Sequence, residues 1–492
     1  MTPKVRQGRK AAIAIASTLL LAGCAVGPSF RPPPPPRVAG YTMKPLPART
    51  TSAPVQDGQA QRLVRGMNLP GQWWTLFHSP ALDAIVTAAL KANPTLQAAQ
   101  AALREAQAEL YAGEGAWYPV LGAAASATRE RLSGAEFGQP GVSHLLTLKS
   151  ASLSVSYLLD PWGGTRRQVE SLAAQAEYQR FELEASYLTL TSSVITAAVQ
   201  EASLRGQIAA TREIIRIEAQ VLTGLKRQFA IGAAADIAVL AQAAALAQTR
   251  AQIVPLQKQL ALTRDRLRAY LGRLPSQRLS ERFALSSLRL PRRLPVSLPS
   301  RLIEQRPDIR AAEAQLHAAS AQIGVATANM LPRISLSASL GSESLGRLFT
   351  SKSGVWSIAA SLAQPLFEGG TLYYRRRAAI AAFQVSAAEY RQTVISAFQN
   401  VADALRALEL DAEGLAAQSA AERAAAASLA ASRRQYHVGS ISYLTLLNAE
   451  QAYQQARLAL VQAQAARCSD TAALFQALGG GWWNRTDISG SR

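Results

Sequence analysis

The chain is poor in the residues that carry chemistry. It holds two cysteines, four histidines and four methionines in 492 residues. The cysteines stand in unlike contexts, so no disulfide framework is implied. His78, His144, His317 and His437 are far apart in sequence, no cysteine or carboxylate stands at metal-ligand spacing, and no glycine loop has a phosphate-cradling form. These absences argue against an enzyme and against a resident metal or cofactor. A pI near 10.5 would usually raise nucleic acid as a partner. Here the basic residues are scattered along amphipathic helices, without zinc-finger spacing or an aromatic RNA platform, so no nucleic acid is expected.

A repeat dominates what is present. One copy reads Tyr118-Pro119, two serine-rich strands, Pro161-Trp162-Gly163-Gly164 and a very long helix. The other reads Leu331-Pro332, two strands, Pro365-Leu366-Phe367-Glu368-Gly369-Gly370 and a second long helix. Each helix ends at the same kind of turn, Gln228-Phe229-Ala230-Ile231-Gly232 or Gln435-Tyr436-His437-Val438-Gly439. Such punctuation implies one supersecondary unit used twice.

The strands carry the clearest local signal. Ile334, Leu336, Ala338 and Leu340 alternate with Ser335, Ser337 and Ser339, and Leu153, Val155, Tyr157 and Leu159 alternate with Ser152, Ser154 and Ser156. One apolar and one hydroxyl face over about ten residues fits a strand between lipid and a polar lumen. A soluble hairpin with one wet face has the same pattern. Four strands cannot close a membrane barrel, and an open edge in lipid leaves backbone groups unsatisfied at several kcal/mol each. Either the strands are soluble or several chains share one barrel.

Between Thr165 and Phe229 no proline intervenes among good helix formers, giving about 100 Å of helix at 1.5 Å per residue. A seven-residue seam runs through Leu183, Tyr187, Leu190, Val194, Ala197, Leu204, Ile208, Ile215, Leu222, Leu225 and Phe229, interrupted at Glu201, Thr211 and Glu218. Tyr390, Val394, Ala397, Val401, Ala404, Leu408 and Leu415 repeat it in the second copy. Such seams ask for coiled-coil neighbours. Gly232 and Gly439 stop the helices, and Asp236 and Ser442 are the expected N-caps of returning helices.

The domains expected are a signal at 1–23; an anchor, proline-rich spacer and irregular strap at 24–80; a first repeat at 81–272; a linker at 273–300; a second repeat at 301–480; and a tail at 481–492. The first repeat holds strands near 119–131 and 148–160 and a helical hairpin at 165–271. The second holds strands near 333–343 and 354–367 and a hairpin at 371–478. The net charge is +20, of which Lys4, Arg6, Arg9 and Lys10 supply +4 in the signal, leaving +16. The apolar run Ala11 to Leu21 is too short to span a membrane. Leu21-Ala22-Gly23-Cys24 resembles a bacterial lipoprotein cleavage box, which implies that Cys24 becomes the lipidated N-terminus and, with Ala25 following, is sorted to the outer membrane. Cys468, among Ala and Leu, reads as a small core residue. Trp73-Trp74-Thr75-Leu76-Phe77 reads as an anchor packing the strap to the body.

Several motifs together resemble the outer membrane efflux proteins of the TolC type, in the lipoprotein branch serving resistance-nodulation-division pumps. They are Cys24-Ala25-Val26-Gly27-Pro28, Trp73-Trp74 through Pro80-Ala81-Leu82, Arg306-Pro307-Asp308-Ile309-Arg310, Ile323-Gly324-Val325-Ala326, Leu331-Pro332, Phe398-Gln399-Asn400-Val401-Ala402-Asp403-Ala404 and Ala477-Leu478-Gly479-Gly480-Gly481-Trp482. The resemblance implies a mainly α fold with membrane β-strands. Three chains would form a homotrimer with a twelve-stranded barrel and a periplasmic α-helical barrel. It implies as partners a periplasmic adaptor, an inner-membrane pump and outer membrane lipid, and as function a passive exit channel for small toxic compounds that needs no cofactor. A type I protein secretion duct, or a structural coiled-coil lipoprotein, are the alternatives.

The same resemblance implies a periplasmic gate. Leu444 matches the family's gate leucine, and Asn448 stands where the family has an aspartate, so a neutral constriction is expected. Lys226-Arg227 and Arg433-Arg434 precede the two turns, where the helix dipole favours cations and an adaptor could dock. Arg166-Arg167 and Arg375-Arg376-Arg377 stand at helix N-termini, which disfavour cations, so they are candidates to meet inner-leaflet phosphates below a barrel.

Overall fold

A computed structural model describes residues 25–36, 38–133 and 143–485. The expected signal at 1–23 and the expected lipidation residue Cys24 lie outside the described residues, as does most of the tail. In chain order the strands are β1 (Arg62–Arg65), β2 (Val120–Ser133), β3 (Ser143–Leu159), β4 (Arg293–Val296), β5 (Arg333–Ser344) and β6 (Gly354–Ala363). The helices are α1 (Pro80–Ala92), α2 (Pro94–Glu114), α3 (Gly164–Ala230), α4 (Asp236–Tyr270), α5 (Pro299–Gln305), α6 (Pro307–Ala328), α7 (Thr371–His437) and α8 (Tyr443–Ala477).

These elements form two compact units. The first takes the described residues up to Pro33 with Leu103–Gln179 and Ala312–Tyr390. At its centre is a four-stranded antiparallel sheet in the order β2-β3-β5-β6. The register sets Ser154 beside Ser339 and Ser156 beside Ser337, so the serines gather on one face. Hydroxyl pairs Ser126–Ser150, Ser335–Ser361 and Ser339–Ser357 span neighbouring strands at 2.7–2.8 Å. The opposite face carries Leu121, Leu153, Leu340, Trp356, Ile358 and Leu362, all exposed. β6 ends at Ala363 instead of running to 367, because Pro365 has no amide hydrogen to continue the ladder. β3 begins at Ser143, earlier than 148, since pairing with β2 continues to Ser133 opposite Ser143.

The segment after Cys24 is held in the same unit by close backbone approach. A Cβ at Gly27, whose φ is +91°, would lie 2.5 Å from the Gly324 Cα. A Cβ at Gly324 would lie 2.7 Å from the Arg167 side chain and 2.9 Å from the Val26 carbonyl. Only two glycines allow this crossing.

The second unit takes Pro34–Ala102, Arg180–Ala311 and the chain from Arg391. Trp73, Trp74 and Phe77 form a buried 3₁₀ turn. Trp73 meets Phe475 edge-on at 5.5 Å between centroids, and Trp74 packs on Tyr187 at 6.3 Å. The strap is less irregular than expected. β1 pairs in parallel with β4 from the linker, Arg62 opposite Arg293 through Arg65 opposite Val296. The fully buried Arg467 holds the strap, donating to the Asp57 carbonyl (3.2 Å), the Gln59 carbonyl (3.1 Å) and Gln61 Oε1 (3.0 Å).

The seven-residue seams are largely inside. All seven seam residues of α7 are buried, as are Leu190, Val194, Ala197, Leu204, Ile208 and Leu225 of α3, while Phe229 is exposed. Glu201, Thr211 and Glu218 do not break the seam, being buried within it. Arg264 of the returning helix donates to Glu201 Oε1 at 2.7 Å, and Thr249 Oγ1 donates to Glu218 Oε1 at 3.0 Å. Polar seam positions thus tie α3 to its own return.

Candidate functional site: a two-faced sheet and a pair of hairpin turns

The two turns follow one design. The Gly232 and Gly439 φ angles are both +73°. The Ala233 amide donates to the Gln228 carbonyl (2.8 Å) and the Ser440 amide to the Gln435 carbonyl (2.9 Å). This is the Schellman closure, in which a left-handed glycine lets the last carbonyls be satisfied. Ser442 caps α8, its Oγ accepting from the Thr445 amide at 3.3 Å. Asp236 is not the cap of α4. It is the first helical residue, and Ala235 holds the cap position without a side-chain bond.

Below the turns the hairpins share a core of Leu225, Ala245, Leu429, Tyr443, Leu446 and Leu447. Leu444 and Asn448, one helical turn apart, point away from it, with Leu444 61% exposed. They therefore do not pack the hairpin in a single chain. Beneath this core stands a polar cluster. The Tyr443 hydroxyl donates to Gln242 Oε1, and Gln242 Nε2 donates to the Glu218 carbonyl at 2.9 Å. Arg433 donates to Glu450 Oε1 at 3.3 Å. The second carboxylate oxygens of Glu218 and Glu450 are buried without a partner. Burial pushes both carboxyls up, and each meets only partial relief from its hydrogen bond; Glu450 adds to the rise at Glu218.

The basic pairs are not alike. Lys226, Arg227 and Arg434 are exposed, whereas Arg433 turns inward to Glu450. At the other end of the long helices, Arg375, Arg376 and Arg377 are exposed, with Arg376 Nε donating to Thr327 Oγ1 at 3.3 Å. Arg166 is exposed too. Arg167 departs from the lipid-contact expectation: it is buried, donating to the Val26 carbonyl (3.1 Å), the Gly27 carbonyl (3.4 Å) and Glu170 (2.7 Å). Its cation clamps the N-terminal segment. His317 completes that clamp, 2.9 Å from Glu170 and stacked on Phe30 at 4.4 Å. Burial raises Glu170, but the hydrogen bonds from His317 and Arg167 outweigh it and leave its carboxyl below the usual range.

Sequence reasoning missed Arg467, Glu218, Gln242 and Glu450 as structural groups. For Glu218 the available signal was a polar residue at a position where the seam demands an apolar one; Gln242, Glu450 and Arg467 lie on the returning helices, outside the seams of α3 and α7.

A sheet with one exposed apolar face, one hydroxyl face and two unpaired edges, carried on long helical hairpins, defines a subunit of a membrane-spanning β-structure. The chain belongs to the outer membrane efflux protein family, whose model matches residues 85–273 and 298–480. It is 34% identical over 424 residues to the pyoverdine export outer membrane protein OpmQ of Pseudomonas aeruginosa, covering 84% of this chain and 87% of that one. It is 28% identical over 481 residues to the toluene efflux pump outer membrane protein TtgC of Pseudomonas putida, covering 97% of each. The solved outer-membrane channel OprN superposes with a TM-score of 0.83 at 28% identity, over 93% of this chain and 100% of that one. The fold is that of these trimeric efflux channels, with strand pair and helical hairpin in two tandem copies, and the protein is an outer membrane efflux channel component.

Proposed function

We propose that three copies of this chain form a passive exit duct of a tripartite efflux system, receiving small toxic compounds from an inner-membrane pump through a periplasmic adaptor. The observation that carries this reading is the open four-stranded sheet with its hydroxyl and apolar faces. Alone, β2 and β6 leave backbone groups unpaired in lipid; three sheets edge to edge close a ring of twelve strands and remove every edge. Ile237, Leu240, Val254 and Leu262 on α4 are exposed in the single chain, and neighbouring hairpins in such a ring would cover them. Cys24 would anchor the N-terminus in the outer membrane, and Arg167 would fix the segment that follows.

In this reading Leu444 and Asn448 from three chains narrow the duct at the hairpin turns. The constriction is uncharged and closes by apolar contact and amide hydrogen bonds. Lys226, Arg227 and Arg434 face the adaptor, while Arg166, Arg375, Arg376 and Arg377 meet inner-leaflet phosphates. The duct transforms nothing and holds no cofactor.

A deletion strain compared with its parent across antibiotics, dyes, detergents and metal salts, with secreted proteins recorded, tests this. Sensitisation to small compounds with unchanged secreted proteins is expected. Loss of one secreted polypeptide without sensitisation would overturn it in favour of protein secretion.

A further inference from the structure

Toward the β2–β3 hairpin the apolar face of the sheet carries a cluster of cations. Following the register outward on that face, Leu121, Ala123, Ala125 and Ala127 of β2 give way to Arg129 and Arg131. On β3, Leu159, Tyr157, Val155, Leu153 and Ala151 give way to Lys149, with Thr147 and the exposed Leu145 beyond it opposite Arg129 and Arg131. Lys149 pairs with Ala127 and Arg129 with Thr147, so Lys149 and Arg129 are diagonal neighbours, and Arg131 follows two residues beyond. Diagonal neighbours on one face stand about 7–8 Å apart, within reach of one anionic group for side chains this long. All three are exposed, and none of their side chains makes a hydrogen bond or ion pair among the described residues.

No carboxylate shares that face of the four strands. Glu130 and Glu343 fall on the hydroxyl face, Glu343 opposite Ser150. The height of the cluster also fits a boundary. Lys149 lies about 33 Å along β3 from Leu159 at about 3.3 Å per residue, or about 25 Å in height at a strand tilt of about 40°, the thickness of the apolar band on outer-membrane barrels. Cations at that level sit where acyl chains end and headgroups begin.

We propose that Arg129, Arg131 and Lys149 form a binding site for the headgroup of a net-anionic, phosphate-bearing lipid in the outer leaflet, whose acyl chains lie on the apolar band below. The chemistry is complementary on both counts: guanidinium groups bind phosphate oxygens in pairs, and the aliphatic surface beneath accommodates the chains. The site rests on the reading that this face meets lipid.

The test uses the full-length trimer in detergent, doped with phosphatidylglycerol or with a chain-matched diacylglycerol that lacks phosphate, and counts bound lipids by native mass spectrometry. Replacing Arg129→Gln, Arg131→Gln and Lys149→Gln together is expected to remove one phosphatidylglycerol per chain and to weaken that site on the order of 100-fold. Diacylglycerol binding and the trimer itself are expected to be unchanged, and Glu130→Gln with Glu343→Gln is expected to leave lipid binding as it was. An unchanged phosphatidylglycerol count in the triple variant would overturn the proposal. Quenching of the Trp356 fluorescence difference (wild type minus Trp356→Phe) by acyl-chain-brominated lipid separates the two levels of the argument. Quenching with an unchanged lipid count refutes the site alone, and quenching only by aqueous iodide refutes the lipid-facing reading with it.

Discussion

The buried carboxylates beneath the hairpin turns should set how tightly those turns are held. Glu218 and Glu450 are 2% and 5% exposed, and each has one carboxylate oxygen without a partner. A buried polar atom without a partner costs about 1–3 kcal/mol, more when charged. Both folded-state carboxyls are raised, so the folded state keeps protons that the unfolded hairpin releases. Stability is then fully present below the ordinary glutamate range and lost as pH rises through the raised values. Glu218→Gln keeps an oxygen for Thr249 and removes the charge beside Glu450. It should stabilise the hairpin ends by about 1–3 kcal/mol at pH 8 and by much less at pH 5. The assay is amide hydrogen exchange over residues 242–249 and 446–454 in the intact trimer, variant against wild type at the same pH. Since 1.4 kcal/mol is tenfold in an equilibrium constant, exchange at pH 8 should slow by about 5- to 150-fold. Equal or faster exchange in the variant at pH 8 would refute the reasoning.

Other expectations follow from neighbouring features. Burial, then the hydrogen-bonded carboxylate of Asp411, pushes Asp470 up to about 8. Resistance to proteolysis should therefore fall as pH rises from about 6 to about 9, and Asp470→Asn should flatten that slope. Arg467→Met removes the bonds to Asp57, Gln59 and Gln61, and should cost about 3 kcal/mol, read as early cleavage within the strap. Gly324→Ala drives a methyl group into the Val26 carbonyl and the Arg167 side chain. It should free the segment 25–33, with a loss of about 1–3 kcal/mol, read as faster exchange of its amides. Burial pushes the Cys468 thiol up to about 12, so a maleimide should label it only after unfolding, at pH 7 and pH 9 alike.

The long-period features were legible in sequence because one rule repeats along each. Serine alternation gave the sheet faces, since a period of two assigns every residue to a side. The absence of proline and the seven-residue seam gave the helical hairpins, and the paired glycines gave their turns. Single long-range contacts were not legible. Arg167 reads as a cation misplaced at a helix N-terminus until the Val26 and Gly27 carbonyls are seen against it. Glu201 and Glu218 read as breaks in a seam until Arg264 and Thr249 appear opposite. The β1–β4 pairing joins segments far apart in sequence whose prolines and arginines carry no strand signal. At Leu444 and Asn448, the pair that the resemblance singles out, exposure follows from the inward packing of Tyr443, Leu446 and Leu447.

The most direct measurement is single-channel current through the purified protein in a planar bilayer, wild type against Leu444→Ala with Asn448→Ala. A duct narrowed at the hairpin turns predicts a small, flickering conductance in the wild type and a several-fold larger, steadier one in the variant. Equal conductance in the two would contradict a constriction at these residues, and no conductance in either would contradict the duct itself.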